Sequence, residues 1–389
     1  MRAIALLAFA LLAAAVSCAA ENPKAPLLVL LSGDSKTWQT LCLQRGWQFI
    51  LPWGELQEKS IDQRVKALAA KVEQVAAGPQ ADVRRVYLAA QGDPALFYIV
   101  SRIPDLWAAA VSVGGSPRAA IDSNRVFAAN TTNVPVLWLM ASGDDQPLAE
   151  KLKSAGFNLE SKKAEGVTTA EVFDWLAMRQ RDEFPTTADC ETGTPLFPRC
   201  YWVEMTRFDP GERNDVLDSS RVKPLGSGAR LAIGPFAYDL KDAGPGAEVV
   251  SLPDKYDGPL KPHDRIVEVG GKEVRDAAQY AALMYQIFEE KPVVVMVARG
   301  KQRLRLETRV VLPPREEAVT ARVRASYLPA MQEVEVISRE VTQMKLTLPE
   351  AWLPLRISWN GTEVASAETA GCWLLTEAKE LLTARRCPQ

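Results

Sequence analysis

At 389 residues with 47% hydrophobic side chains, the chain exceeds one ordinary domain and holds enough apolar material for two or three cores. Its 46 basic residues balance 48 acidic ones without a basic block, which excludes the electrostatic footprint of a nucleic-acid binder. A single histidine, His263, and the lack of a close cysteine cluster leave no zinc-binding spacing, so no metal and no cofactor are expected.

Met1-Arg2, the apolar run Ala3 to Val16 and the small residues Ser17-Cys18-Ala19-Ala20 have the charged start, short greasy middle and cleavable end of a secretory signal. Residues 1–20 are therefore expected to be removed, and the mature chain to be periplasmic, secreted or lipid-anchored in a bacterial envelope. Two cleavage readings stand: after Ala20, or before Cys18, whose thiol then carries lipid. No later run reaches the roughly 18 uninterrupted apolar residues of a spanning helix. Export permits disulfides, and the close pairs Cys190/Cys200 and Cys372/Cys387 are the natural bridges. Cys42 is left over and reads as a free buried thiol.

From residue 25 to 185, short apolar runs alternate with amphipathic stretches. Strands are predicted at Leu27–Ser32, Trp47–Leu51, Arg84–Ala90, Ala108–Val113, Val134–Met140 and Asn158–Lys162. Helices are predicted at Ile61–Ala77, Asp93–Ile103, Leu148–Ala155 and Ala170–Gln180. Buried strands separated by helices of this length specify a parallel sheet covered on both faces.

The strand Arg84–Ala90 runs into Gln91-Gly92-Asp93-Pro94-Ala95 and then a helix, the context of a nucleophile elbow. Here the chain resembles the α/β-hydrolase superfamily, particularly exported esterases of the polyhydroxybutyrate-depolymerase and dienelactone-hydrolase type. Against G-x-S-x-G the residues read Ala90-Gln91-Gly92-Asp93-Pro94, so the nucleophile position is Gly92, which cannot attack. The resemblance places the family's acid at Asp144 or Asp145, as a vestige, and its histidine in Gly166-Val167-Thr168-Thr169-Ala170, where there is none. The oxyanion region Leu31-Ser32-Gly33-Asp34-Ser35 sets an acid where negative charge would develop. Asp93 reads as a helix-opening cap before Pro94.

Past Cys200 the periodicity changes to short alternating strands. The run Gly258-Pro259-Leu260-Lys261-Pro262-His263-Asp264-Arg265-Ile266-Val267-Glu268-Val269-Gly270-Gly271-Lys272-Glu273-Val274 resembles the bacterial PDZ signature, a G-L-K-x-G-D-x-I turn and strand followed by an N-G-K-x-V hairpin. The resemblance covers 227–312 and implies a groove-flanking helix at Asp276–Glu290, then strands Val293–Arg299 and Leu304–Val311. It further implies an extended ligand added to the strand that follows Leu231-Ala232-Ile233-Gly234, with Phe236, Tyr238 and Leu240 along it and loop N–H groups holding the ligand's carboxylate. Pro235 removes one donor from that strand, and Ala232 replaces the loop glycine. His263 replaces another glycine and reads as an exposed turn residue.

Thr320–Ser326, Glu333–Ser338, Gln343–Leu348 and Leu355–Trp359 alternate apolar and polar residues, and Asn360-Gly361 is a hairpin turn. Together with Tyr201–Met205 they suggest a small β-rich, sandwich-like unit made of 186–226 and 313–389, into which the PDZ-like run is inserted, with Arg213–Arg221 and Leu312–Glu317 as connectors. The fold class expected is thus multidomain: a hydrolase-like α/β sheet, a PDZ-like module and a small β-rich domain.

Three functions compete. The first is an exported noncatalytic binding or scaffold protein that recognises a protein or peptide C-terminus or extended segment. The second is an esterase or peptidase using unfamiliar groups such as Asp93, Asp144 or Ser32. The third is glycan binding through Trp38, Trp47, Trp53 or Trp202, residues that read first as core. The missing imidazole favours the first.

Overall fold

The computed structural model describes residues 24–58, 60–141, 143–211, 216–314, 319–379 and 381–388. The expected signal segment with Cys18 lies outside them, as do the side chain of Asp144 and parts of both expected connectors.

The four central strands of the first sheet follow from apolar runs, and its two edge strands are only partly buried. Its strands are β1 (Ala25–Leu30), β2 (Gln48–Ile50), β3 (Ala81–Gln91), β4 (Ala109–Val113), β5 (Val136–Met140) and β6 (Leu159–Lys163), all parallel in the order β2-β1-β3-β4-β5-β6. Helices α1 (Ser35–Gln44), α2 (Ile61–Ala76), α3 (Ala95–Arg102), α4 (Arg118–Asp122) and α5 (Gln146–Ser154) fill the crossovers, and α6 (Thr169–Ala177) follows the last strand. Successive strand residues face opposite sides, so a fully apolar strand needs two cores. Leu27 and Val29 join Val65, Leu68, Val72 and Leu96 on one side, and Leu28 and Leu30 join Trp38, Cys42, Phe173 and Leu176 on the other. Each such leucine contributes about 1.5–3 kcal/mol by leaving water. Burial pushes the Cys42 thiol up to about 12, which keeps it protonated and inert.

Strands β7 (Thr187–Thr192), β8 (Arg199–Cys200) and β9 (Val203–Phe208) come next. A separate sheet then forms from β10 (Arg230–Leu231), β11 (Ala247–Glu248), β12 (Arg265–Val269), β13 (Lys272–Glu273), β14 (Pro292–Arg299) and β15 (Gln302–Val311). Its order is β10-β15-β14-β12-β11, with β13 paired to β12. Val293, Val295 and Val297 alternate inward along β14 and meet Ala277, Tyr280 and Met284 of helix α7 (Ala277–Tyr285) in one core.

The helix is shorter than the predicted Asp276–Glu290. Ser227 ends it by donating its N–H to Tyr285 O (3.0 Å) and its hydroxyl to Met284 O (2.8 Å), which satisfies the last carbonyls. Pro292 then biases Lys291 toward extended backbone.

The remaining strands are β16 (Ala321–Leu328), β17 (Glu333–Arg339), β18 (Val341–Leu348), β19 (Leu355–Trp359), β20 (Thr362–Ala367), β21 (Gly371–Ala378) and β22 (Leu381–Arg386). They complete two five-stranded sheets, β20-β19-β17-β16-β7 and β22-β21-β18-β9-β8, around a shared core that includes Val323, Val336, Met344, Leu346 and Trp359. The Cys190–Cys200 bridge joins edge strand β7 of one sheet to edge strand β8 of the other, and Cys372–Cys387 ties β21 to the segment after β22. Asn360 and Gly361, both at positive φ, make the β19–β20 turn, where left-handed backbone suits asparagine and glycine.

Glu191 of β7 fastens these parts together. Its buried carboxylate accepts hydrogen bonds from Ser219 Oγ (2.5 Å), Ser220 N (2.6 Å), Ser220 Oγ (2.6 Å) and Thr320 Oγ1 (2.5 Å), with Arg339 Nη2 at 3.6 Å. Its backbone N–H and C=O pair with the side chain of Asn130 in the first unit. Ser219 and Ser220 enter the separate sheet's segment and Thr320 leaves it, so one carboxylate holds both strands of the passage.

Candidate functional site

An open parallel sheet gathers ligands where its strand order reverses, outside the carboxyl ends of the strands on either side. Here that point lies between β1 and β3, at Leu31–Asp34 and Gln91–Asp93. Gly92 sits there at φ +76, a conformation glycine adopts freely, and a Cβ built on it meets nothing within 4 Å. Across from it the crevice is closed. Ser32 Oγ donates to Gln91 O (2.9 Å), Gln91 N–H donates to Ser32 O (3.0 Å), and Gln91 Oε1 accepts from Asp34 N (3.2 Å). A backbone donor that could have stabilised an oxyanion is therefore already engaged.

The other expected catalytic positions serve as caps and ties. Asp93 Oδ1 accepts from Ala95 N (2.8 Å) at the start of α3. Asp34 caps α1 through Thr37, whose hydroxyl bond holds the Asp34 carboxyl below its ordinary range. Asp145 Oδ1 accepts from Ser116 Oγ (2.9 Å). Thr168, where the resemblance would put a histidine, forms a capping box with Glu171 at the start of α6. His263 lies on a turn of the separate sheet at φ +69, 84% exposed, with Nδ1 2.9 Å from Glu248 Oε1. Neither Ser32 nor Asp93 faces an imidazole: the chain's single histidine lies on the separate sheet.

A cleft of about 330 Å³ opens instead between residues 229–238 and helix α7. Leu231, Ala281 and Met284 give it an apolar floor. Phe236, Tyr238 and Tyr280 form an aromatic wall, with ring centroids 5.3–5.8 Å apart. Burial raises the pKa of both phenols, and the positive charge of Arg118 partly opposes the shift at Tyr238. Of the five residues predicted to bind peptide, Leu231, Gly234 and Phe236 line the cleft; Ala232 is exposed elsewhere and Ile233 is buried in the core.

The loop that leads into this cleft is internally bonded. Ala232 N–H donates to Arg309 O (2.8 Å), Ile233 N–H to Thr308 Oγ1 (3.1 Å) and Gly234 N–H to Leu231 O (3.2 Å). Tyr256 Oη donates to Ile233 O (2.5 Å), and its ring leaves no room for a Cβ on Gly234. The segment beyond makes one isolated bridge, Ala237 with Ser251, outside the strands of the sheet.

The first unit closes one end of the cleft with α4. Arg118 Nη1 donates to Tyr285 Oη, 167 residues away in sequence, and Asp122 lies one turn further along. Tyr285 packs over Gly226 so closely that a Cβ there would fall 1.9 Å from the ring. Arg118, Asp122 and Arg230 are the charged residues lining the cleft. Sequence reasoning missed Arg118 and Asp122, because no local pattern marks a side chain whose partner comes from another sheet.

A larger cleft of about 400 Å³ lies where the first sheet meets β8 and β9. Its charged groups are already paired: Arg199 Nε with Asp105 Oδ2 (2.9 Å) and Arg199 Nη2 with Glu73 Oε1 (2.5 Å). Desolvation holds the Asp105 carboxyl above its ordinary range even with Arg199 and Arg181 beside it. This cleft reads as a joint between units. Comparison of the chain with known protein families and with curated proteins returns no match.

Proposed function

We propose that this is an exported, noncatalytic binding protein that receives the extended end of a protein or peptide in the cleft beside α7, with residues 227–312 acting as a PDZ-like module. The observation that carries this reading is the contrast between the two sites. The strand-order crevice is bonded across and holds no imidazole, whereas the cleft beside α7 is open, apolar along its floor and flanked by an extended segment that makes one isolated bridge, Ala237 with Ser251. Such a segment offers backbone groups to an added strand, and the pocketed floor offers selectivity among side chains.

In this reading residues 25–185 are a degenerate hydrolase-like domain, and 186–226 with 313–389 form the β-rich domain that carries the module. The positive-φ glycine at the tip of β3 supports descent from a nucleophile elbow. Two disulfides support folding in an oxidising compartment.

The test is selection by the full chain from a random peptide library with free carboxylates. Saturable binding that Leu231→Lys weakens by about tenfold or more is expected, since the charge would sit on the apolar floor. Failure to select any sequence overturns the reading.

A further inference from the structure

We propose that a ligand's terminal carboxylate is recognised from outside the module, by Arg118 of α4. This rests on the peptide-cleft reading above and specifies its chemistry. Amides of the loop at 232–234 are committed to Arg309 O, Thr308 Oγ1 and Leu231 O, and Pro235 has no N–H, so a carboxylate seated there would have to displace internal bonds. The charged residues lining the cleft are Arg118 and Arg230 against Asp122, an excess of one positive charge that complements a chain terminus.

Arg118 is also held in place. Its bond to Tyr285 Oη uses one of its five donors, and Tyr285 is itself wedged over Gly226. A guanidinium fixed on one side presents its remaining N–H groups in a planar fork that matches a carboxylate, which a mobile surface arginine does not. Arg118 lines the same cleft as Leu231, Ala281 and Met284, so the ligand class is a peptide ending in an apolar residue with a free carboxylate. The first unit then acts as a specificity determinant for a cleft that belongs to another sheet. Tyr285 is the positioning residue.

The experiment compares selected peptides with their C-terminal amides on the full-length protein. The natural chain should prefer the acid by about tenfold or more, the range expected for a charge-assisted pair. Arg118→Gln should bring the acid-to-amide ratio close to one with the amide still bound, which shows the cleft intact. Arg230→Gln should reduce the preference less than Arg118→Gln does, and an equal loss overturns the assignment to Arg118. If Arg118→Gln also loses the amide, Arg118→Lys is read instead: a ratio reduced several-fold supports the assignment, and an unaltered ratio overturns it. An acid preference that persists in Arg118→Gln, or a natural chain that binds acid and amide equally, overturns the role of Arg118 and leaves the cleft reading standing. A natural chain that binds neither form sinks the cleft reading itself.

Discussion

Gly92 shows how a sharp strand-to-helix turn falls to the one residue that adopts left-handed backbone freely. Its left-handed φ is the strained conformation that an elbow needs, and the space around it is open. A serine placed there would fit sterically at a cost of about 1–2 kcal/mol in backbone strain. It would still find Gln91 bonded to the β1 loop and no imidazole on this sheet. Gly92→Ser is therefore expected to fold, to melt a few degrees lower and to hydrolyse short acyl esters no faster than buffer. Turnover above background by either form, measured by release of a chromogenic alcohol, would contradict this account of the crevice.

At the scale of elements, Asp264 and the Cys190–Cys200 bridge illustrate two ways of holding short strands. Asp264 is 1% exposed and receives Arg299 Nε and Nη2 (both 2.8 Å) and Lys261 N (2.7 Å), which join the turn before β12 to the end of β14. Desolvation would raise its pKa, but the Arg299 and Lys261 hydrogen bonds outweigh that and leave it lowered. The unfolded chain then protonates first as pH falls. The stabilisation is full above the unfolded value of about 3.9 and is lost as pH drops through the depressed folded value. Urea midpoints measured from neutral pH down to about pH 2 should fall across that acid window, and Asp264→Asn should flatten that part of the profile. The disulfide works differently, by closing a short loop between facing edge strands. Replacing Cys190 and Cys200 with serine together should remove about 2–3 kcal/mol, read as a lower melting temperature without change of fold.

Across the whole molecule, the three parts meet at Glu191. A fully buried carboxylate that accepts four hydrogen bonds holds the entering and leaving segments of the separate sheet, while Asn130 anchors the same residue to the first unit. Glu191→Ala would strand these donors and should cost about 3–5 kcal/mol. It should also split one cooperative calorimetric transition into two, because the separate sheet loses its fixed attachment. A single transition at the original temperature would show that the carboxylate is not the fastening point. Through this attachment α4 can reach the cleft beside α7, so the same variant is expected to weaken the acid preference assigned to Arg118.

How much of this was legible depended on how local the determining forces are. The alternation of apolar runs and helices marked every strand of the first sheet to within a few residues, and for the four central strands the reason is burial on two faces. Cysteine spacing indicated both bridges, and Asn360-Gly361 its hairpin, because loop closure and left-handed backbone are local constraints. What nearby residues could not reveal was which donors would be used up elsewhere. Gln91 closing over Asp34, Thr308 taking the Ile233 amide, Glu191 gathering Ser219, Ser220 and Thr320, and Arg118 meeting Tyr285 all pair groups from distant parts of the chain. Composition and periodicity determined the first sheet, the two cysteine pairs and the single histidine far from that sheet. Only tertiary packing decided which crevice stayed open and which charges line it, because hydrogen-bond satisfaction is settled after the elements have docked.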